Sequence, residues 1–390
     1  MNLNRRSLLG VTGVAAFGAF IPRLCSAAGA RDPRFVTIIL RGALDGLASV
    51  PPVGDPGFAA LGRQGLSQTA VPLSGMFARH PSLVNFGRQF KAGQAAVVHA
   101  SATPYRDRSH FDGQDVLESG YATPGRTDSG WLNRLLPHLP HAQRASGSGL
   151  SVGVTTPLVL RGPAQVMGWA PQTISLRDDN LPARIMALYQ DSDPALARAF
   201  ESSLATSQLA QGGGNSGLAL NARTPMTDMA QGAARLLARD DGPRIAALAF
   251  VGWDTHTSES ERLKTLLADL DGALAAFEKG LGDKWRDTTI LVATEFGRTA
   301  AVNGTDGTDH GTATAAFLVG GAVKGGRVIT DWPGLAPAKL RDNRDLAPTT
   351  DLRAVAKGVI TDMFDVSPQA LATDVFPDSA DVKPMTGLIA

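Results

Sequence analysis

The sequence predicts an α/β protein built on a doubly wound, mostly parallel sheet. Three observations carry that expectation. Short, β-branched apolar runs recur at residues 34–40, 94–100, 244–251, 289–293 and 314–319, the pattern of strands buried on both faces. Helical spacing lies between several of them. Each run ends in, or leads promptly to, polar residues flanked by glycines, and open α/β sheets gather their ligands beyond the carboxyl ends of strands.

The chain of 390 residues suits one large α/β domain or two smaller ones, and its 43% hydrophobic content is ample for a core. With 37 basic and 36 acidic residues the formal charge is +1, which gives no electrostatic case for nucleic acid. An aromatic content of 6% also argues against a stacking platform for bases or sugars.

The N-terminus reads as a twin-arginine export signal over residues 1–30. Arg5 and Arg6 precede an apolar stretch at 8–21, and Ser26, Ala27, Ala28 and Ala30 suit a signal peptidase. The apolar stretch is shorter than the roughly 20 residues that span a bilayer, so no stable membrane insertion is expected after cleavage. The expected partner is the twin-arginine export machinery, and the expected destination is the periplasm. Cys25, the one cysteine, lies inside this signal behind Leu24, which is too large for a lipoprotein cleavage box. A mature domain at 31–390 then has no disulfide, thiolate zinc site or cysteine nucleophile.

In order along that domain, the first apolar run leads into Arg41-Gly42-Ala43-Leu44-Asp45-Gly46, an acid between glycines at a strand end. A plain Asp-Gly turn is the competing reading. Residues 51–80, rich in Pro, Gly and Ser, read as a surface loop. A short helix is expected at 83–91 and a second buried strand at 94–100. Helical pattern resumes from Ser109 to about Ser119. Ser109 would stand at the helix start, where free backbone N–H groups and the dipole favour a nucleophilic hydroxyl or a bound anion. Ser109 and Asp112 also fit an ordinary capping pattern.

Residues 150–160 read as a strand or hairpin, and 181–209 carry helical spacing. The glycine-rich stretch 211–217 is the most flexible-looking, so a region of about 145–240 is a candidate insertion or cap over the main sheet. A helix is expected at 226–239. The strand at 244–251 ends in Gly252-Trp253-Asp254-Thr255-His256. Asp254 and His256 are two apart and face one side in extended structure, which suits a divalent cation. Over 263–281, Leu263, Leu266, Leu267, Leu270, Leu274, Phe277 and Leu281 keep one apolar stripe, the mark of a crossover helix on the sheet. The strand at 289–293 then stops at Thr294-Glu295-Phe296-Gly297-Arg298. A Gly/Asn-rich loop delivers Asp309-His310-Gly311 to the strand at 314–319, and a last helix is expected at 351–364.

Gathered on one sheet edge, these carboxylates and histidines supply oxygen and nitrogen for two cations. Two metals about 4 Å apart activate a nucleophile and neutralise both ends of an in-line displacement, as cleavage of a phosphate or sulfate ester requires.

The twin-arginine leader and the motifs at 41–46, 105–114, 252–256 and 294–299 together resemble an exported family of unknown function, domain of unknown function 1501. That family is grouped with the alkaline phosphatase and sulfatase superfamily. The resemblance implies a three-layer α/β/α sandwich with a metal site on the carboxyl edge of the sheet. It implies that Asp45 matches the first-strand acid and Ser109 the nucleophile. Asp254 and His256 then match ligands of a first metal, Glu295 those of a second, and His310 the late histidine ligand. Phe296 stands where the resemblance expects a metal-binding histidine.

The expectation is thus a periplasmic, metal-dependent hydrolase of a small anionic ester, using one or two divalent ions (Zn, Mn or Ca). Asp254, His256 and His310 would form one site, and Asp45, Glu295 and Asp309 part of another. Ser109 would attack, and Arg298 or Arg108 would hold the oxyanion. The alternative is a non-catalytic exported binding or assembly protein on the same fold with a degenerate metal site.

Overall fold

A computed structural model describes residues 31–140, 149–171, 181–211 and 226–390. The expected export signal, with Cys25, and residues 212–217 of the glycine-rich stretch lie outside the described residues.

Every expected apolar run forms a strand. In chain order the strands are β1 (Arg34–Arg41), the short β2 (Val71–Ser74) and β3 (Phe77–Arg79), β4 (Ala95–Ala102), β5 (Gly149–Val152), β6 (Val166–Trp169), β7 (Ile245–Val251), β8 (Thr288–Ala293), β9 (Thr314–Val319), β10 (Arg327–Ile329) and β11 (Thr350–Asp351). Nine of them make one sheet in the order β10-β4-β9-β8-β1-β7-β5-β6, with β11 also paired to β4. The helices that matter here are α1 (Val84–Lys91), α2 (His110–Ser119), α3 (Leu181–Ser192), α4 (Pro194–Gln211), α5 (Met226–Ala238), α6 (Glu259–Leu281) and α7 (Leu352–Phe364).

Strand alternation divides the core into two layers. Val36, Ile38 and Leu40 of β1, with Ile290 and Val292 of β8, pack on one face against α1, α5 and the leucine stripe of α6. Phe35 and Ile39 of β1, with Leu291 and Ala293 of β8, pack on the other against α7 and the short helix Trp131–Leu135. The result is a three-layer α/β/α sandwich around a mostly parallel sheet.

Three departures from the sequence reading have local causes. Residues 51–80 are more than a loop: β2 and β3 form an antiparallel hairpin turned by Gly75 at φ +56°. The helical stretch 181–209 is two helices. Asp193 Oδ1 accepts from Ala195 N and Leu196 N, and Pro194 opens α4, where a missing N–H costs nothing. Within 145–240, β5 and β6 are strands of the main sheet itself, β5 pairing parallel to β7.

One topological feature places the chemistry. β8 pairs parallel to β1, but β9 runs antiparallel to both β8 and β4. An antiparallel neighbour needs no crossover, so the loop 294–313 stays on the carboxyl edge between β8 and β9. Among the described residues no helix is long and apolar enough to cross a membrane.

Candidate metal centre

Three strand ends and one helix start meet on that edge. Backbone bonds lash them together. Trp253 N donates to Arg41 O (3.2 Å), Thr308 N to Thr255 O (3.1 Å), and Gly311 N to Gly297 O (2.8 Å). Gly42 must be glycine: it sits at φ +120°, and a Cβ there would lie 2.4 Å from Asp254 N. Gly42 at the end of β1 thus lets the Asp254 backbone approach.

Four side chains converge. His110 Nε2 lies 3.0 Å from His310 Nε2 and 3.5 Å from Asp254 Oδ2. His310 Nε2 lies 3.3 Å from Asp254 Oδ1. These three could together hold a cation. His256 Nε2 adjoins them, 3.1 Å from His310 Nε2 and 3.0 Å from Asp254 Oδ1.

The other ring nitrogen of each histidine faces an oxygen acceptor. His110 Nδ1 donates to Glu295 Oε1 (2.8 Å), His310 Nδ1 to the Arg108 carbonyl (3.0 Å), and His256 Nδ1 to Asp309 Oδ1 (3.0 Å). Those bonds fix the tautomer, so each ring turns an Nε2 lone pair toward the common point. Lone pairs about 3 Å apart repel unless a cation or a proton stands between them. The hydrogen bond from His110 to Glu295 raises the His110 pKa, against burial, with the charges of Glu295 and Asp254 adding to the rise. Burial and the neighbouring His110 lower that of His310. At Asp254, burial opposes ionisation, but the hydrogen bond and charge of Arg298 and the two nearby histidines win and lower its pKa.

A set of imidazole nitrogens with one carboxylate fits a divalent transition ion such as Zn or Mn. It fits Ca poorly, because that ion takes 6–8 oxygens. The residues present therefore suit a metal, held by His110, Asp254 and His310 with His256 beside them.

Asp254, His256 and His310 stand where the sequence reading gathers ligands, and the other expected residues do different work. Glu295 is fully buried, and both its oxygens are taken by Gly42 N (2.8 Å), His110, Gln114 Nε2 (3.2 Å) and Thr294 Oγ1 (2.8 Å). Its carboxylate faces protein donors and holds the His110 ring from behind. Asp309 plays the same part for His256. Asp45 leaves the donor set altogether. Its Oδ1 accepts from Ala48 N (2.8 Å) and its Oδ2 pairs with Arg63 Nη2 (2.7 Å), both partners buried.

Neither arginine offers a free anion clamp. Arg298 is buried. It donates from Nη1 to Asp254 Oδ1 (2.5 Å), from Nε to Thr308 Oγ1 (3.1 Å) and from Nη2 to Thr308 O. Arg108 donates from Nε and Nη2 to Asp345 Oδ2 (2.9 and 2.7 Å) and from Nη2 to Asp342. Ser109 does precede α2, but its side chain accepts no capping bond.

The sequence reading missed His110. It stands next to Ser109 in the motif that directed attention to the serine, and no spacing rule favours one over the other. Phe296, expected to mark a lost ligand, is buried and stacks on His110 (ring centroids 5.0 Å, 27° between planes). It walls a centre that already has its histidines.

A family model described as a protein of unknown function (DUF1501) matches residues 84–372. No curated protein matches the chain by sequence. Among solved structures, the chain is similar to Ps i-CgsB in complex with k-i-k-neocarrahexaose (TM-score 0.40, 11% identity, 91% of this chain and 77% of that one). It is also similar to a Mg-bound variant of the alkaline phosphatase of the Antarctic bacterium TAB5 (0.41, 13%, 77% and 95%). A third is a protein in the alkaline phosphatase superfamily from Vibrio parahaemolyticus (0.39, 11%, 86% and 67%). Likeness at this level transfers no residue role and no reaction.

Proposed function

The chain belongs to the DUF1501 family, and we propose that it is an exported, metal-dependent hydrolase of phosphate or sulfate esters that works in the periplasm. One observation carries the reading: three histidines turn Nε2 toward one another and toward Asp254 while oxygen acceptors hold every Nδ1. His110, Asp254 and His310 would hold a divalent ion, which when bound would supply Lewis-acid polarisation and charge neutralisation at an ester oxygen.

The chain's own residues prepare that role. Glu295, Asp309 and the Arg108 carbonyl hold the rings in register, and Arg298 holds the Asp254 carboxylate. With both arginines committed, the start of α2 is the remaining protein element suited to the ester's negative oxygens. Ser109 stands there with a hydroxyl that caps nothing, and it is our candidate nucleophile.

Elemental analysis of protein purified from periplasm without added metal should find at least about one equivalent of Zn or Mn. Turnover of an aryl phosphate or aryl sulfate should vanish on chelation and in Ser109→Ala, with metal retained in the variant. Protein with no metal and no thermal stabilisation by added ions would sink the reading. Metal without turnover would leave the non-catalytic alternative. Replacing Arg5 and Arg6 with Lys should hold the protein in the cytoplasm, and normal periplasmic accumulation would refute export by the twin-arginine route.

A further inference from the structure

A second concavity, lined by none of the four converging side chains, opens where α6 begins. It measures about 520 Å³, within the range of small-molecule sites. Leu66, Leu263 and Val302 give it apolar walls, and Arg63, His80 and Lys264 are its basic lining residues.

Arg63 is the anchor. It is nine-tenths buried and held rigid, donating from Nε to Ala300 O (2.8 Å) and from Nη2 to Thr299 O (3.1 Å) and Asp45 Oδ2 (2.7 Å). Its Nη1 makes no hydrogen bond among the described residues. A guanidinium fixed on two nitrogens holds its third in place to donate to an oxyanion. His80, also buried, accepts from Ser82 N at Nδ1 (3.2 Å), so its Nε2 carries the proton and is a donor. Burial and the adjacent Arg79 lower its pKa to about 4, so it stays neutral near pH 7.

The acids that could oppose an anion are largely neutralised. Asp45 is matched by Arg63. Glu259 holds its proton, because burial and the Asp45 charge push its pKa up to about 9. Asp306 and Lys264 both line the cavity, one charge of each sign. What remains is donor-rich and apolar together, which no purely inorganic anion exploits.

We infer that this cavity binds a small organic carboxylate with an apolar body, its carboxylate on Arg63 and His80 and its hydrocarbon against Leu66, Leu263 and Val302. The site is independent of the reaction proposed at the metal centre. Glu259 is unsuited to the test, because its Oε2 accepts from Thr308 Oγ1 (2.5 Å), which in turn accepts from Arg298, the residue holding Asp254.

Gly65 serves better. It lines the cavity, and a Cβ added there meets nothing within 4 Å. Titration of the mature, metal-containing protein with benzoate by calorimetry should saturate with a Kd below about 1 mM, and acetate, which lacks the apolar body, should bind at least about tenfold more weakly. Gly65→Phe should weaken benzoate at least about tenfold without lowering metal content or melting temperature. Thr69→Trp, filling the same space from the exposed end of its helix, repeats the test if Gly65→Phe folds poorly. Absence of saturable benzoate binding, parity of acetate with benzoate, or wild-type affinity in a folded filled variant would each overturn the inference. Metal content and ester turnover are separate readouts, so failure here leaves the metal reading standing.

Discussion

Two polar clusters sit side by side beyond the sheet, and they are built in opposite ways. In the Arg63, Asp45 and Glu259 cluster, charges answer one another: the guanidinium meets a carboxylate, and a neighbouring carboxyl keeps its proton. In the His110, Asp254, His310 and His256 cluster, acceptors face acceptors at 3.0–3.5 Å, and the donors all point outward to Glu295, Asp309 and the Arg108 carbonyl. In the first cluster the charges are balanced by the protein itself, and Arg63 also holds backbone through the Ala300 and Thr299 carbonyls. In the second the Nε2 lone pairs face one another and Asp254, an arrangement that suits a cation. The difference shows that proximity of acids and histidines does not define a metal centre; the direction of their donors does.

Removing a converging ligand should have the largest effect. His310→Ala or Asp254→Ala should lose bound metal, and ester turnover should fall by at least about 100-fold, because each supplies one of the three converging donors. Full metal retention in both, measured on purified protein, would erase the distinction between the clusters.

The charge-balanced cluster should answer in stability. Arg63→Ala leaves Asp45 buried without its counter-charge and should cost about 3–5 kcal/mol in denaturant unfolding. Metal per folded molecule should be unchanged. A variant that unfolds normally but loses its metal would move Asp45 back among the ligands.

Glu295→Gln separates an orienting residue from a ligand. His110 keeps its place but loses its carboxylate acceptor, so metal affinity should drop about 10–100-fold rather than vanish. Competition with a chelator of known affinity reads this directly, and an unchanged affinity would deny Glu295 its orienting role.

The smallest effect is a slope in pH. Glu259 has a folded-state pKa raised from 4.5 to about 9 by burial and by Asp45. The native state therefore keeps a proton that the unfolded chain releases. The stability from this group is complete below about pH 4.5 and is lost as the pH rises toward about 9. Glu259→Gln should flatten that decline in a series of unfolding midpoints, and a decline of equal steepness in the variant would assign it to another group.

Much of the architecture was legible in one dimension. Apolar runs placed every central strand, and the stripe from Leu263 to Leu281 placed α6, because burial acts on residues two or four apart and leaves a period behind. Asp254 and His256 were legible for the same reason, as neighbours two apart at a strand end. Pro194 after Asp193 was a legible break that the helical period masked.

The roles of individual polar residues were decided only in three dimensions. Asp45 and Glu295 both follow buried strands and look alike in sequence, yet one meets Arg63 and the other meets His110, from remote parts of the chain. Ser109 and His110 are adjacent, and the approach of β7 and of the loop before β9 makes the histidine a converging residue. The sequence by itself determined the layers, the sheet edge and the residue types gathered there, since these follow from local periodicity. Which carboxylate binds, which orients and which merely balances a charge depends on partners brought in by strand pairing, and spacing along the chain carries no record of them.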